Sequence, residues 1–309
     1  MTTEVLLALI PVVLLIGFGN LLRQRGFLDD AFWPQAERLC YYVLLPSLFF
    51  HGLATAQLDA LPVGDLALTL ILSTVVVAAL VVAMRPLLNV SGPAFTSVFQ
   101  GSVRFNNYVG VTLAAGLFGA EGIALAAICN AALVPTVNIL CVLIFAKHGS
   151  AKLTGIGVLK QIGVNPLVVA SLSGIAFQML GLGIPPGLGP AMRTLGAAAL
   201  PLGLLCVGAA LNFSTAQQWL KPVAFSSVLK FMAMPTVTAI AAILIGLKGP
   251  ALTTALLFQV LPTASSAYIL SRQLGGDAPL MAGITAAQTV IALVAIPLVL
   301  IGLTTWLPL

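Results

Sequence analysis

The stretch "GSVRFNNYVG", Gly101 to Gly110, places an arginine and two adjacent asparagines inside an otherwise apolar run. The surrounding segment, 93–118, has the length of a membrane-spanning helix, which needs about 20 residues. A charge in the middle of a bilayer is costly, and non-helical backbone is tolerated at that depth only beside protein or a water-filled cavity. The stretch therefore predicts a spanning helix that is interrupted near its middle and faces a polar site.

The composition predicts an all-α polytopic membrane protein. Of the 309 residues, 60% are hydrophobic and 7% are charged, and the mean hydropathy is +1.12, whereas soluble domains are about half apolar and about a quarter charged. Ten apolar segments have spanning length. They are 3–22, 36–56, 66–84, 93–118, 121–146, 164–182, 192–212, 223–247, 249–273 and 278–305. The first lacks a preceding basic region, so we expect a span there and not a cleaved signal.

Charge and cysteine usage exclude several partners. The net charge of +5 comes from basic residues scattered singly between apolar runs, so no block of them could follow a phosphate backbone. The cysteines lie inside or at the edges of apolar segments without a Cys-x-x-Cys pair, which argues against disulfides and zinc. We expect no cofactor and no nucleic-acid partner.

Basic residues in short loops predict the orientation of the chain, because cytoplasmic loops are enriched in them. One set of alternate loops and segment ends carries Arg23, Arg25, Arg38, Arg85, Lys147, Lys152, Lys160, Lys221 and Arg272, and the opposite set carries Arg193 and Lys248. This bias places both termini outside the cytoplasmic (inner) membrane of a bacterium.

A weak internal repeat relates the two halves of the chain. Residues related by a shift of 155 to 159 positions are Pro46 and Pro201, Asn106-Asn107 and Ser265-Ser266, and Asn130 and Gln288. The repeat predicts two five-helix units, 1–150 and 151–309. Because five is odd, the second unit enters the membrane from the opposite side, as in inverted-repeat secondary transporters.

The ninth segment carries a second interruption in "LPTASSAYILSRQLGGD", residues 261–277, where Pro262 removes a backbone donor and hydroxyl residues follow. Two interrupted helices at matching positions predict one shared site, and the N-termini of their second halves suit a carboxylate. Taken alone, Pro262 would more often be a simple kink. We expect Arg104 to face a cavity or pair inside the bundle, whereas Lys230 fits snorkelling and burial equally well.

These motifs, together with "ALPLGLLCVGAAL" at 199–211, resemble the auxin efflux carrier family of bacterial permeases, related to plant auxin exporters and to malonate and malate permeases. The resemblance covers essentially the whole chain. It implies inverted five-helix repeats similar to the bile-acid sodium symporter fold, with the fourth and ninth helices crossing at their breaks. It also implies a scaffold of helices one, two, six and seven, and a moving domain of helices three to five and eight to ten.

Two departures from the family pattern stand out. Many members have proline after the motif arginine, but this chain has Phe105, so the first break depends on its glycines and asparagines. The loop at 147–163 is also short, unlike the long cytoplasmic loop of many plant members.

The predicted function is a secondary transporter of a small organic anion, with an elevator-like mechanism and a homodimer through the scaffold helices. An intramembrane enzyme is less favoured, because Asp277 in "LGGD" has no second intramembrane aspartate as partner, and a channel is less favoured because no filter motif is present. The candidate substrate-binding residues are Arg104, Asn106, Asn107, Tyr108, Pro262, Thr263, Ser265 and Ser266, and the candidate ion-coupling or site-lining residues are Asn130, Gln288 and Lys230.

The coupling ion is the least determined feature. The resemblance to the symporter fold implies that a sodium site would use an acidic residue near the helix crossing, and this chain has no carboxylate in the middle of a span, which favours protons or uniport over sodium. Sodium held by Asn, Gln, Ser and backbone carbonyls is the alternative. The titratable candidates for a proton are Lys230 and His51, although His51 is more simply an interfacial residue.

Overall fold

The computed structural model describes residues 2–57, 61–150, 165–211 and 219–306, and in these ranges the fold is entirely helical. Six helical stretches are long and apolar enough to span a membrane. They are Thr3–Gln24, Val63–Ala83, Gly92–His148, Leu188–Ala210, Leu220–Ile245 and Ala278–Gly302. The all-α membrane class is confirmed, whereas the count of ten spans and their inverted arrangement stay predictions. Most of the short loop after residue 147 lies outside the described residues.

The helices follow one another with short connections. In chain order they are α1 Thr2–Gln24, α2 Phe32–Leu39, α3 Leu45–Ala54, α4 Val63–Ala83, α5 Arg85–Leu88, α6 Gly92–Val103, α7 Asn107–His148, α8 Pro166–Met179, α9 Leu188–Ala210, α10 Leu220–Val228, α11 Met234–Ile245, α12 Gly249–Gln259, α13 Ser266–Leu274 and α14 Ala278–Trp306. Helix α7 is two helices merged across a turn at Gly119, whose φ of 57° suits glycine.

Two π-helical turns, Cys40–Leu44 and Leu229–Ala233, join α2 to α3 and α10 to α11. Each is followed by a helix with proline at its second residue, Pro46 or Pro235. Proline has no N–H and its ring clashes with the carbonyl four residues earlier, so a wider turn lets the helix continue past it. These turns keep α2 and α10 continuous with the helices that follow them.

Small residues bring the helices of one group into close contact. Gly208 of α9 lies against the Ile16 carbonyl of α1, and Gly19 of α1 lies against the Leu205 carbonyl of α9. A Cβ at Gly174 of α8 would lie 2.9 Å from the Phe50 carbonyl of α3. Close backbone approach through small residues is how helices associate in membranes. The helices α1, α3, α8 and α9 therefore form a tight group.

Two interruptions position the candidate site. The backbone leaves the helix between Val103 and Asn107, and again between Gln259 and Ser266. Both lie within the stretches whose sequences predict them.

Candidate functional site

The two interruptions contact each other through a buried hydrogen-bonded clamp. The Gly101 carbonyl accepts from Gln288 Nε2 at 2.9 Å, and Gln288 Oε1 accepts from the Thr263 backbone N–H at 3.1 Å. The Thr263 hydroxyl, with one proton to donate, lies 2.7 Å from Gln288 Oε1 and 3.1 Å from the Gly101 oxygen. The clamp satisfies backbone groups that the broken helices leave free, which buried polar groups require. The crossing is therefore held by named polar contacts.

Apolar contacts close the crossing from one side. The Phe105 and Phe258 rings lie 5.8 Å apart between centroids, and a Cβ at Gly110 would lie 2.5 Å from Leu261 Cδ1. Pro262 is buried within the second interruption. The first interruption thus forms without proline, because Phe105 is held by packing against the end of α12.

The N-terminus of α7 is capped by its own chain. Asn106, the residue before the helix, accepts hydrogen bonds at Oδ1 from the Tyr108 and Val109 N–H groups, at 3.1 and 3.3 Å. Asparagine is among the preferred N-cap residues because its side chain satisfies these free amides. Asn106 therefore caps α7 through Oδ1, while its Nδ2 is buried without a hydrogen-bond partner among the described residues, and its role in substrate binding stays a prediction. The Asn107 side-chain amide, half-buried, has no hydrogen bond within the described residues.

The N-terminus of α13 is open. No side chain caps it, and the hydroxyl of Ser265, the preceding residue, donates to Glu37 Oε1 at 2.7 Å. Ser265 and Ser266 are half-buried, unlike the fully buried Thr263. Two successive serines at an uncapped helix start offer amide and hydroxyl donors to an anion.

Glu37 corrects the expectation that no carboxylate lies near the crossing. It is half-buried on α2, and its partner Ser265 is 228 residues away in the chain. Glu37 falls just inside the second apolar segment, 36–56, and that position was the only sequence signal. The preference for protons or uniport over sodium rested on a missing carboxylate, so with Glu37 bonded to Ser265 the coupling ion stays a prediction.

Arg104 pairs inside the protein. It follows the last residue of α6, where its charge compensates the partial negative charge of the helix C-terminus. Its Nη1 donates to Asn138 Oδ1 on α7 at 3.1 Å, and the side chain is half-buried. Arg104 also lies close enough to Tyr41 and Cys141 to interact electrostatically with them.

Tyr108, the second residue of α7, packs against α9. Its ring rests against Gly203, where any Cβ would overlap it, and its hydroxyl is buried without a partner among the described residues. Glu37, Tyr41 and Cys206 lie within electrostatic range of that hydroxyl. The Tyr41 hydroxyl accepts from Asn165 Nδ2 at 2.9 Å.

A family model described as "Membrane transport protein" matches residues 4–300. The chain belongs to this family, that of the auxin efflux carriers. The resemblance drawn from its motifs is confirmed, and the chain is an integral membrane transport protein.

Two relatives are similar over most of their length. The "Uncharacterized transporter" of Methanothermobacter thermautotrophicus is 25% identical over 303 residues, covering 96% of this chain and 97% of the relative. The "Putative malonate transporter" of Rhizobium meliloti is 26% identical over 251 residues, covering 76% and 75%.

Two candidate residues of this carrier are not joined to the crossing. Asn130 is fully buried and donates to the Ala126 carbonyl of its own helix at 2.8 Å. Lys230 lies on the second π-helical turn, fully buried, and its Nζ has no hydrogen-bond partner among the described residues. Lys230 therefore does not snorkel. The roles of both in ion coupling stay predictions.

A separate cavity of about 500 Å³ lies beside the Gly119 turn. His51, Glu121 and Arg193 are among its lining residues. None of the residues that form the clamp lines it. His51 thus belongs to this cavity and not to the crossing.

Proposed function

We propose that the chain is a secondary transporter that moves a small carboxylate, such as malonate or malate, across the bacterial cytoplasmic membrane. The observation that carries the proposal is the uncapped, half-buried start of α13 at a crossing of two interrupted helices. Helix N-termini bind anions through free N–H groups and the helix dipole. Family membership and the name of the Rhizobium meliloti relative support the choice of substrate class.

Arg104 and Asn107 complement the α13 start in this proposal. Arg104 supplies positive charge next to the first interruption, and the Asn107 amide is free of hydrogen bonds within the described residues. The clamp formed by Gly101, Thr263 and Gln288 keeps the two interruptions in register. A rigid crossing with a few free donors can bind a carboxylate at little entropic cost.

We further propose ten spans in two inverted five-helix repeats that alternate access by an elevator-like motion. The helices α1–α3, α8 and α9 would form the scaffold, through which a homodimer would assemble, and α4–α7 and α10–α14 would move. The close glycine contacts between α1 and α9 and between α3 and α8 support the scaffold group. The contacts that cross the boundary between the two groups include Glu37 with Ser265 and Tyr108 with Gly203.

The enzyme alternative loses its main residue. Asp277 Oδ1 accepts from the Leu280 N–H at 2.9 Å, and the Asp277 backbone carbonyl accepts from Ser97 Oγ at 2.7 Å. Asp277 therefore caps α14 as a structural residue.

Uptake by purified protein in liposomes tests the proposal. We expect malonate or malate to accumulate, and the same compounds to raise the melting temperature in detergent, because ligands that bind the folded state stabilise it. Uncharged amides of matching size serve as controls. Transport or stabilisation by the amides with none by any mono- or dicarboxylate would overturn the proposal.

A further inference from the structure

Glu37 places a carboxylate on the helix start that the proposed function assigns to the substrate. Its Oε1 accepts a hydrogen bond at 2.7 Å from the hydroxyl of Ser265, the residue immediately before α13. The Glu37 side chain makes no ion pair of 4 Å or less among the described residues. A carboxylate without a cationic partner, at an anion-binding helix start, occupies a place suited to a substrate carboxylate.

Substrate and Glu37 therefore compete for one donor. The Ser265 hydroxyl has a single proton, so it cannot serve both carboxylates at once. Two carboxylates held close together in a half-buried site do not both stay ionised, because their like charges repel in a medium of low dielectric.

Among the titratable groups near Ser265, Glu37 is the one whose charge can change near neutral pH. The titratable groups facing this region are Cys40 and Tyr41 from the adjoining π-helical turn, Tyr108 from α7 and Cys206 from α9. Thiols and phenols ordinarily stay neutral below about pH 8. Arg104, which lies within electrostatic range of Tyr41, stays charged throughout. Glu37 is also only partly buried.

We propose that Glu37 is the proton-coupling residue: a substrate carboxylate displaces it from Ser265, and Glu37 takes up one proton in the same step. The inference rests on the proposed function. It makes the carrier a proton–anion symporter, with Glu37 as an internal substitute for the substrate in the empty state. The bond crosses from the proposed scaffold to the proposed moving group, so its release removes one of the contacts that hold the two groups together.

Proton counting on the purified protein tests the inference. Malate binding is measured calorimetrically between about pH 6.5 and 8.5, where small carboxylic acids are ionised, in buffers of different ionisation enthalpy. We expect uptake of about one proton per malate bound and an affinity that weakens by up to about tenfold per pH unit as the pH rises.

Matched variants assign the proton. Glu37→Gln is expected to bind malate without proton uptake and with a pH-independent affinity. Glu121→Gln, which changes an acidic residue of the separate cavity, should keep the wild-type proton count. The melting temperature checks that each variant folds, and Glu37→Ala serves if Glu37→Gln does not.

The outcomes separate this inference from the proposed function. Wild-type binding with no proton uptake, or uptake that persists in both Glu37 variants, would overturn the role of Glu37 and leave a carboxylate carrier. Failure of the wild type to bind any carboxylate at any pH would overturn the proposed function, and this inference with it.

Discussion

The two interrupted helices restart in different ways. Helix α7 begins with its first amides bonded to Asn106, whereas α13 begins without a side-chain cap and with its preceding hydroxyl on Glu37. The Asn106 cap occupies the Tyr108 and Val109 amides, whereas no side chain occupies the amides at the start of α13. Matching positions in the two halves therefore do not mean matching roles. The first break is capped by its own chain, and the second leaves its helix start without a side-chain cap.

The largest effect is expected from Gln288→Leu, which removes the hydrogen bonds that Gln288 makes to Thr263 and Gly101. The change leaves the Thr263 N–H buried without Gln288 as its partner, which costs about 1–3 kcal/mol, and leaves the Gly101 carbonyl with the Thr263 hydroxyl alone. We expect a large drop in melting temperature and loss of carboxylate binding. Gln259→Leu is the matched control, since that buried glutamine bonds to Ser73 and Thr74 of α4 instead. It should lower stability but keep binding, and equal loss of binding in both variants would contradict a specific role for the clamp.

Asn107→Leu should separate binding from folding. Losing a desolvated hydrogen bond to a charged ligand costs about 1.5–3 kcal/mol, or about ten- to over a hundredfold in affinity. Because the Asn107 amide makes no hydrogen bond within the described residues, the melting temperature without ligand should stay near that of the wild type. Unchanged malate transport by this variant would remove Asn107 from the site.

Asn106→Ala should show the opposite pattern. Removing the N-cap of α7 costs about 1 kcal/mol of stability, while the folded protein should bind carboxylate as before. Asn106→Ser, which retains a capping oxygen, should recover most of the melting temperature. If the alanine variant lost binding and kept its stability, the two helix starts would not differ as described.

The smallest effect is expected at Arg104. Arg104→Lys keeps the charge and gives up the bond to Asn138, so carboxylate affinity should change by less than about threefold, under about 0.7 kcal/mol. Arg104→Ala should weaken binding more, measured by the same thermal shift. A variant that melts early and binds normally would make Arg104 structural.

The sequence predicted the interruptions because their causes are local. Glycine, asparagine and proline disturb a helix wherever they occur, so Gly101, Asn106 and Pro262 could be assigned without tertiary information. Gln288 was found through the repeat, and the structure joins it to Thr263. Asn130, found by the same shift, bonds only within its own helix among the described residues. A repeat therefore predicts which positions correspond and not which contacts form.

What the sequence could not predict depended on tertiary packing. Glu37 stands at the edge of an apolar segment, where a carboxylate would ordinarily be solvated, and only the fold brings it to Ser265. The full burial of Lys230 likewise depends on how α10 packs against its neighbours. The π-helical turns before Pro46 and Pro235 also went unpredicted, because proline by itself indicates only a kink or a helix start.

Gly203 leaves the surface of α9 without a side chain at that position, and the Tyr108 ring packs against it. If the proposed moving group, which includes α7, slides past α9, the Tyr108 ring moves along the surface of α9 at Gly203. The missing side chain at position 203 leaves room for that movement. Any side chain at position 203 would obstruct the movement of the Tyr108 ring. We expect Gly203→Ala to displace the Tyr108 ring, so that malate movement into liposomes slows more than malate binding to the purified protein weakens. The rate of malate transport would then depend on Gly203, a residue outside the proposed substrate site.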